Sequence, residues 1–206
     1  MGRPNLAQVV EVAVGGAPSW SWAGELAALR AASVRSDVLL RELPPSRLAP
    51  HGLTLRAELT GPPATAAGAE AGEPAASGRL LVLHDPAGQD GWDGVLRVVT
   101  LLQATLDEPM ARDPMLADVA WDWLLEALDG QGAGHRAVSG TVTTTVSRGF
   151  GGRAASGGLE DAELELRCSW SPVGPLVAHL AAFCDLLGLA AGVPPVRPGV
   201  TPLRPR

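Results

Sequence analysis

The segment Asp161–Trp170 alternates without a break. Ala162, Leu164, Leu166, Cys168 and Trp170 form one set, and Asp161, Glu163, Glu165 and Arg167 stand between them. A period of two places one set against a core and the other in water, which is the pattern of a half-buried β-strand and not of a helix. Such a strand needs paired neighbours and an apolar layer over its inner face, so the rest of the chain has to supply both.

The neighbours are readable. Leu53, Leu55, Ala57 and Leu59 alternate with Thr54, Arg56 and Glu58, and Val38–Leu43 lies upstream across the turn-forming pair Pro44-Pro45. Leu80–Leu83 is a short apolar run suited to a central strand. Val95–Leu106 fits a helical stripe by spacing, but its β-branched content favours strand. Val138–Arg148 sets Ser139, Thr141, Thr143, Thr145 and Ser147 on one face, with Val142 and Val146 on the other. Three segments carry helical spacing. Pro18–Ser33 has Trp22, Leu26 and Leu29 on a stripe and Ser19 as a cap. Asp113-Pro114 opens a helix with Leu116, Ala120, Trp123 and Ala127 on one face, closed at Gly130. A last helix starts at Pro175 and carries Leu176, Leu180, Phe183 and Leu187.

The expected fold is α+β, a two-layer antiparallel β-sheet covered on one face by about three helices. In 206 residues, 46% of them hydrophobic, this is a single domain. We place it at residues 18–191, with flexible termini at 1–17 and 192–206, a low-complexity loop at 60–78, and a glycine-rich hairpin connection at Gly149–Gly158.

Composition narrows the function. All 16 basic residues are arginine, the formal net charge is −6, and the arginines are scattered apart from Arg197, Arg204 and Arg206 in the tail. Direct nucleic-acid binding is therefore not expected. No run approaches the roughly 20 apolar residues of a membrane span, and no apolar signal core follows Arg3. The two cysteines make no disulfide framework, so a cytoplasmic location is expected.

The densest polar segment is His84–Gly94, HDPAGQDGWDG, which gathers His84, Asp85, Asp90, Trp92 and Asp93. A functional reading makes it a metal or acid/base site with His135 as a supporting partner. The simpler reading is a turn, because Asp caps its own backbone and Gly supplies positive φ. Trp121 and Trp123 sit about 200° apart on a helix, so Trp123 takes the apolar stripe and Trp121 the rim, where it joins Trp92 as a candidate partner surface. His135 in its glycine loop is expected to be solvated, and His179 to sit at a helix rim. Cys168 and Cys184 fall on core faces. No catalytic residue, metal ligand or cofactor is assigned. Phosphate-binding glycine loop, G-x-S-x-G, C-x-x-C and H-E-x-x-H are all absent from the sequence.

The stretches RLAPHGLTLRAEL (Arg47–Leu59), GRLLVLHDPAGQDGWDGVLRVVT (Gly78–Thr100), DPMLADVAWDWLLEAL (Asp113–Leu128), SGTVTTTVSRGFGG (Ser139–Gly152) and HLAAFCDLLGLAAGVPP (His179–Pro195) resemble an actinobacterial family known as domain of unknown function 3000. The resemblance implies no activity, cofactor or catalytic residue. The element order is also similar to the type III secretion chaperone-like (YbjN-type) fold, whose members dimerise and bind partners. The expected function is thus a non-enzymatic cytosolic protein-binding or adaptor module, with a protein partner or a homodimer. The alternative is a small metal-dependent or acid/base enzyme centred on the His84–Asp93 loop.

Overall fold

The computed structural model describes residues 20–59, 74–150 and 161–193. The expected flexible N-terminus, residues 194–206 of the tail, residues 60–73 of the low-complexity loop and most of the glycine-rich connection lie outside them. The chain runs α1 (Trp22–Ala31), β1 (Val38–Leu43), β2 (His51–Leu59), β3 (Ala76–His84), β4 (Leu96–Thr105), α2 (Glu108–Ala111), α3 (Leu116–Gly130), β5 (Gly134–Ser147), β6 (Asp161–Val173) and α4 (Leu176–Ala190). The fold class is the expected α+β. Four strands are longer than the sequence pattern suggests: β2 begins at His51, β3 begins at Ala76, within the 60–78 stretch, β5 begins at Gly134, and β6 continues to Val173. The single turn α2 is too short to leave a periodic signal.

All six strands form one antiparallel sheet in the order β1-β2-β3-β4-β6-β5. The first four make a meander. The chain then leaves through α2 and α3, enters at the far edge as β5, and returns as β6 to close the gap beside β4.

Register sorts the side chains into two faces. Leu55, Leu80, Thr100, Cys168 and Gly140 stand opposite one another across five strands, on the inner face. Helix α4 packs on that face and is buried almost all round, because α3 and α1 pack against it. Gly78 allows its close approach: a Cβ there would meet Phe183 at 3.0 Å and the Leu101 carbonyl at 2.7 Å. Trp170, fully buried, donates from Nε1 to His179 Nδ1 at 3.0 Å. His179 is therefore a core residue, only 1% exposed, and not the expected rim residue. With helices on both sides, α4 has little solvent-facing rim to offer.

The helix starts differ from expectation for local reasons. Ser21, not Ser19, caps α1, accepting from the Gly24 N–H at 3.1 Å. Asp113 accepts from the Met115 N–H at 2.8 Å and so forms a turn ahead of α3, which begins at Leu116. The buried stripe of α3 is Leu116, Ala120, Leu124, Ala127 and Leu128. Leu124 takes the central core position expected for Trp123, which is half-buried at its side.

One polar cluster joins the α1–β1 connection to α4 and to the end of α3. The Arg35 guanidinium forks onto Asp37 at 2.9 and 2.6 Å, reaches the Val193 carbonyl at 3.1 Å, and lies 3.8 Å from Asp185 Oδ1. Asp185 Oδ2 accepts from Gln131 Nε2 at 2.6 Å. Gly188 leaves the space this guanidinium occupies. Arg35→Ala leaves the buried Asp185 carboxylate with Gln131 but without its cationic neighbour, and is expected to lower the unfolding free energy by about 2 kcal/mol in urea denaturation. Gly188→Ala, which displaces the same guanidinium, is expected to give a loss of similar size.

Candidate functional site

The His84–Asp93 loop is built as a turn. The Asp85 carboxylate accepts from the Ala87 N–H and from Gln89 Nε2, both at 3.0 Å, and these bonds hold it below the usual carboxylate range. Gln89 also reaches the Leu48 carbonyl at 3.3 Å, fastening the loop to the β1–β2 connection. Gly88 and Gly91 adopt φ of 72° and 79°, and Asp93 adopts 52°, a left-handed conformation that Asp tolerates. Asp90 is exposed, and Asp93 lies 3.9 Å from Arg136.

His84 turns the other way. It belongs to the inner face, where its ring meets Trp20 edge-on at 5.1 Å and stacks with Trp22 at 5.3 Å and His51 at 5.4 Å. It is 7% exposed and its Nδ1 has no hydrogen-bond partner among the described residues. Burial, with the adjoining His51, holds its pKa below the ordinary value. The buried imidazole thus lies apart in exposure from Asp90 and Asp93, which are exposed, while Asp85 remains near enough for its charge to act on His84 and His51. Among the described residues, no group of three or more His, Cys, Asp or Glu side chains is placed to hold a metal ion. His135, expected to be solvated, is half-buried with Nδ1 at 3.0 Å from the Ala133 carbonyl, and its charge acts on His179. The Cys168 and Cys184 thiols are pushed up by burial to about 11 and about 12, which removes them as nucleophiles.

The tryptophans divide three ways. Trp170 is in the core, Trp20 is 50% exposed, and Trp22, Trp92, Trp121 and Trp123 are half-buried. Trp121 lies over Gly140 of β5, where a Cβ would stand 3.0 Å from its ring. Trp92 belongs to the β3–β4 loop. The two candidate partner residues thus sit on separate elements, and Trp121 already has a packing role.

The outer face of the sheet carries a feature that has no signature along the sequence. Arg41 stands directly opposite Arg56, Arg56 opposite Arg79, Arg79 opposite Leu101, and Leu101 opposite Arg167. Four arginines therefore lie in one row across five strands, about 19 Å from end to end at ~4.8 Å per strand. All four are exposed. Like charges directly opposite one another destabilise a sheet, so the row is a local cost to the fold. Glu58 and Glu165, one step along, bond Arg56 and Arg167, each at 2.7 Å. Arg41 and Arg79 have no ion-pair partner among the described residues. Between Arg56 and Arg79 the surface dips into a hollow lined also by Ser77, Leu101 and Gln103.

A fifth arginine, Arg97, lies 8% exposed on the same face. It donates to the Ala137 carbonyl at 3.0 Å and to the hydroxyls of Ser169, Ser139 and Ser171 at 2.7, 3.2 and 3.2 Å, with no carboxylate among them. Burial pulls its pKa down. Arg136, opposite Ser171, is a sixth. Against these six, Glu58, Asp161, Glu163 and Glu165 fall on this face by register, and Asp93 lies 3.9 Å from Arg136. Acids concentrate elsewhere: α3 carries Asp118, Asp122, Glu126 and Asp129 and no basic residue. A chain of net charge −6 thus sets a row of arginines on the outer face of its sheet and an acidic stripe on α3, on the other side.

No helix among the described residues is long and apolar enough to cross a membrane. A family model described as "Protein of unknown function (DUF3000)" matches residues 18–201. No curated protein and no solved structure matches the chain.

Proposed function

We propose that this chain, which belongs to the DUF3000 family, is a non-enzymatic cytosolic binding module that takes an acidic segment of a protein partner on the outer face of its sheet. The observation that carries the reading is the row Arg41–Arg56–Arg79–Arg167. Arginines held in register at a cost to the sheet, two of them without an ion-pair partner among the described residues, match carboxylates arranged along a line. The strand residues of this face include no aromatic side chain. Single-stranded nucleic acid is held on sheets by stacking its bases on such rings, so the chemistry favours a protein ligand.

The reading moves the partner surface from Trp92 and Trp121 to the arginines, and a paired capture experiment separates the two. Tagged wild-type chain is compared with Arg41→Gln/Arg79→Gln and with Trp92→Ala/Trp121→Ala, using native lysate at low salt. The arginine variant is expected to lose at least nine-tenths of a stoichiometric partner that the tryptophan variant retains. The reverse pattern returns the site to the aromatic residues.

A further inference from the structure

We infer that the acidic outer stripe of α3 in one copy of this chain docks on the arginine row of a second copy. The inference rests on the reading of the outer sheet face as the ligand surface, and it names the occupant. At 3.6 residues per turn, Asp118, Asp122, Glu126 and Asp129 fall on one stripe, opposite the buried side of α3. All four are exposed, and none has an ion-pair partner among the described residues. Carboxylates spaced four apart repel one another on a helix, and Asp129 stands at the C-terminal end, where the helix dipole disfavours an anion. Stripe and row each hold unneutralised charge of one sign.

Their dimensions agree. The eleven steps from Asp118 to Asp129, at ~1.5 Å each, extend the stripe to about 16 Å, against about 19 Å for the row. Apolar side chains accompany both: Met115 and Val119 are 57% and 39% exposed beside the stripe, and Leu39, 46% exposed, lies beside the row. Helix α3 packs on the inner face of the sheet, so a chain cannot bring its stripe to its own row. The two surfaces differ and lie on opposite sides of the molecule. Successive copies therefore stack helix to sheet in an open series, a heterologous contact without two-fold closure.

Sedimentation velocity of the full chain tests this at about 25 mM and about 500 mM salt, conditions between which the screening length falls several-fold. Wild type is expected to sediment as concentration-dependent species larger than a monomer at low salt, and as a monomer at high salt. Arg41→Gln/Arg79→Gln keeps the stripe, and Asp122→Asn/Glu126→Gln keeps the row. Each alone is expected to stay monomeric, and an equimolar mixture to form a pair that stops at two chains. Either variant associating alone as wild type does overturns the inference. Wild type that stays monomeric at both salts, while the arginine variant still loses its captured partner, also overturns it and leaves the sheet face as a surface for another protein. An arginine variant that loses neither self-association nor partner overturns both readings.

Discussion

Trp170→Ala is expected to lower the unfolding free energy by about 4 kcal/mol, the largest loss expected from a single substitution in this chain. Trp170 has no solvent exposure, lies on the inner face of β6, and fills the space beneath α4. Truncation opens a cavity that the flanking strands cannot close, because β4 and β5 pair with β6 on either side. It also leaves His179 Nδ1 without its donor. Trp170→Phe separates the two effects: the ring volume is largely kept, and a smaller loss of about 2 kcal/mol is expected. Guanidinium denaturation of the three chains measures both differences. A Trp170→Ala loss below about 1 kcal/mol is incompatible with a packed residue in this position.

Stability is expected to fall by about 3 kcal/mol between pH 6.5 and pH 4 through His179 alone. Burial lowers this imidazole from 6.5 to about 4, the Val173 backbone pulling the other way and the His135 charge adding to the shift. The folded protein therefore binds the proton less readily than the unfolded chain. The contribution is complete above pH 6.5, is lost as pH falls toward 4, and changes no further once both states are protonated. His84 is depressed for the same reason and adds to the slope in the same direction. Asp37, Glu42 and Asp85 are held below their usual range, so their contributions are lost at lower pH as they in turn protonate. Asp85 owes its depression to Gln89 and the Ala87 N–H, Asp37 and Glu42 theirs to Arg35 and Arg30. His179→Gln removes the titration while keeping an acceptor for Trp170. Urea denaturation at about pH 7, 5.5 and 4.5 is expected to show the gap between wild type and this variant shrinking as pH falls. Parallel curves would exclude His179 as the source.

The alternation of Asp161–Trp170 and the stripe Leu176, Leu180, Phe183, Leu187 both match the structure, the one as β6 and the other as α4. Both patterns are local, and local patterns survive in a linear chain. A helical stripe marks one buried face and so puts His179 at a rim, whereas α4 is enclosed by other helices as well as by the sheet. Helical spacing admits Trp123, three residues after Ala120, to the core face of α3, but Leu124, four residues after Ala120, continues the buried stripe. The arginine row leaves no trace in the sequence. Arg41, Arg56, Arg79 and Arg167 become neighbours only through strand register, which depends on the paths between strands and not on spacing along the chain. The loop at His84 stands out for the opposite reason: its polar residues are dense in sequence, yet the fold buries His84 on the inner face and leaves Asp90 and Asp93 exposed.

The placement of β6 between β4 and β5 governs the order in which the molecule can assemble. During synthesis the meander β1–β4 is complete long before β6 emerges, and its β4 edge then lacks the partner it has in the finished sheet. Only when the C-terminal third arrives does the hairpin of β5 and β6 dock against β4, with α4 following to seal the inner face. Pairing across so long a separation is entropically slow. Until it happens, the apolar inner side of the meander and the open edge of β4 are available to other chains, so the last strand to enter the sheet sets the interval during which a newly made molecule is vulnerable to aggregation.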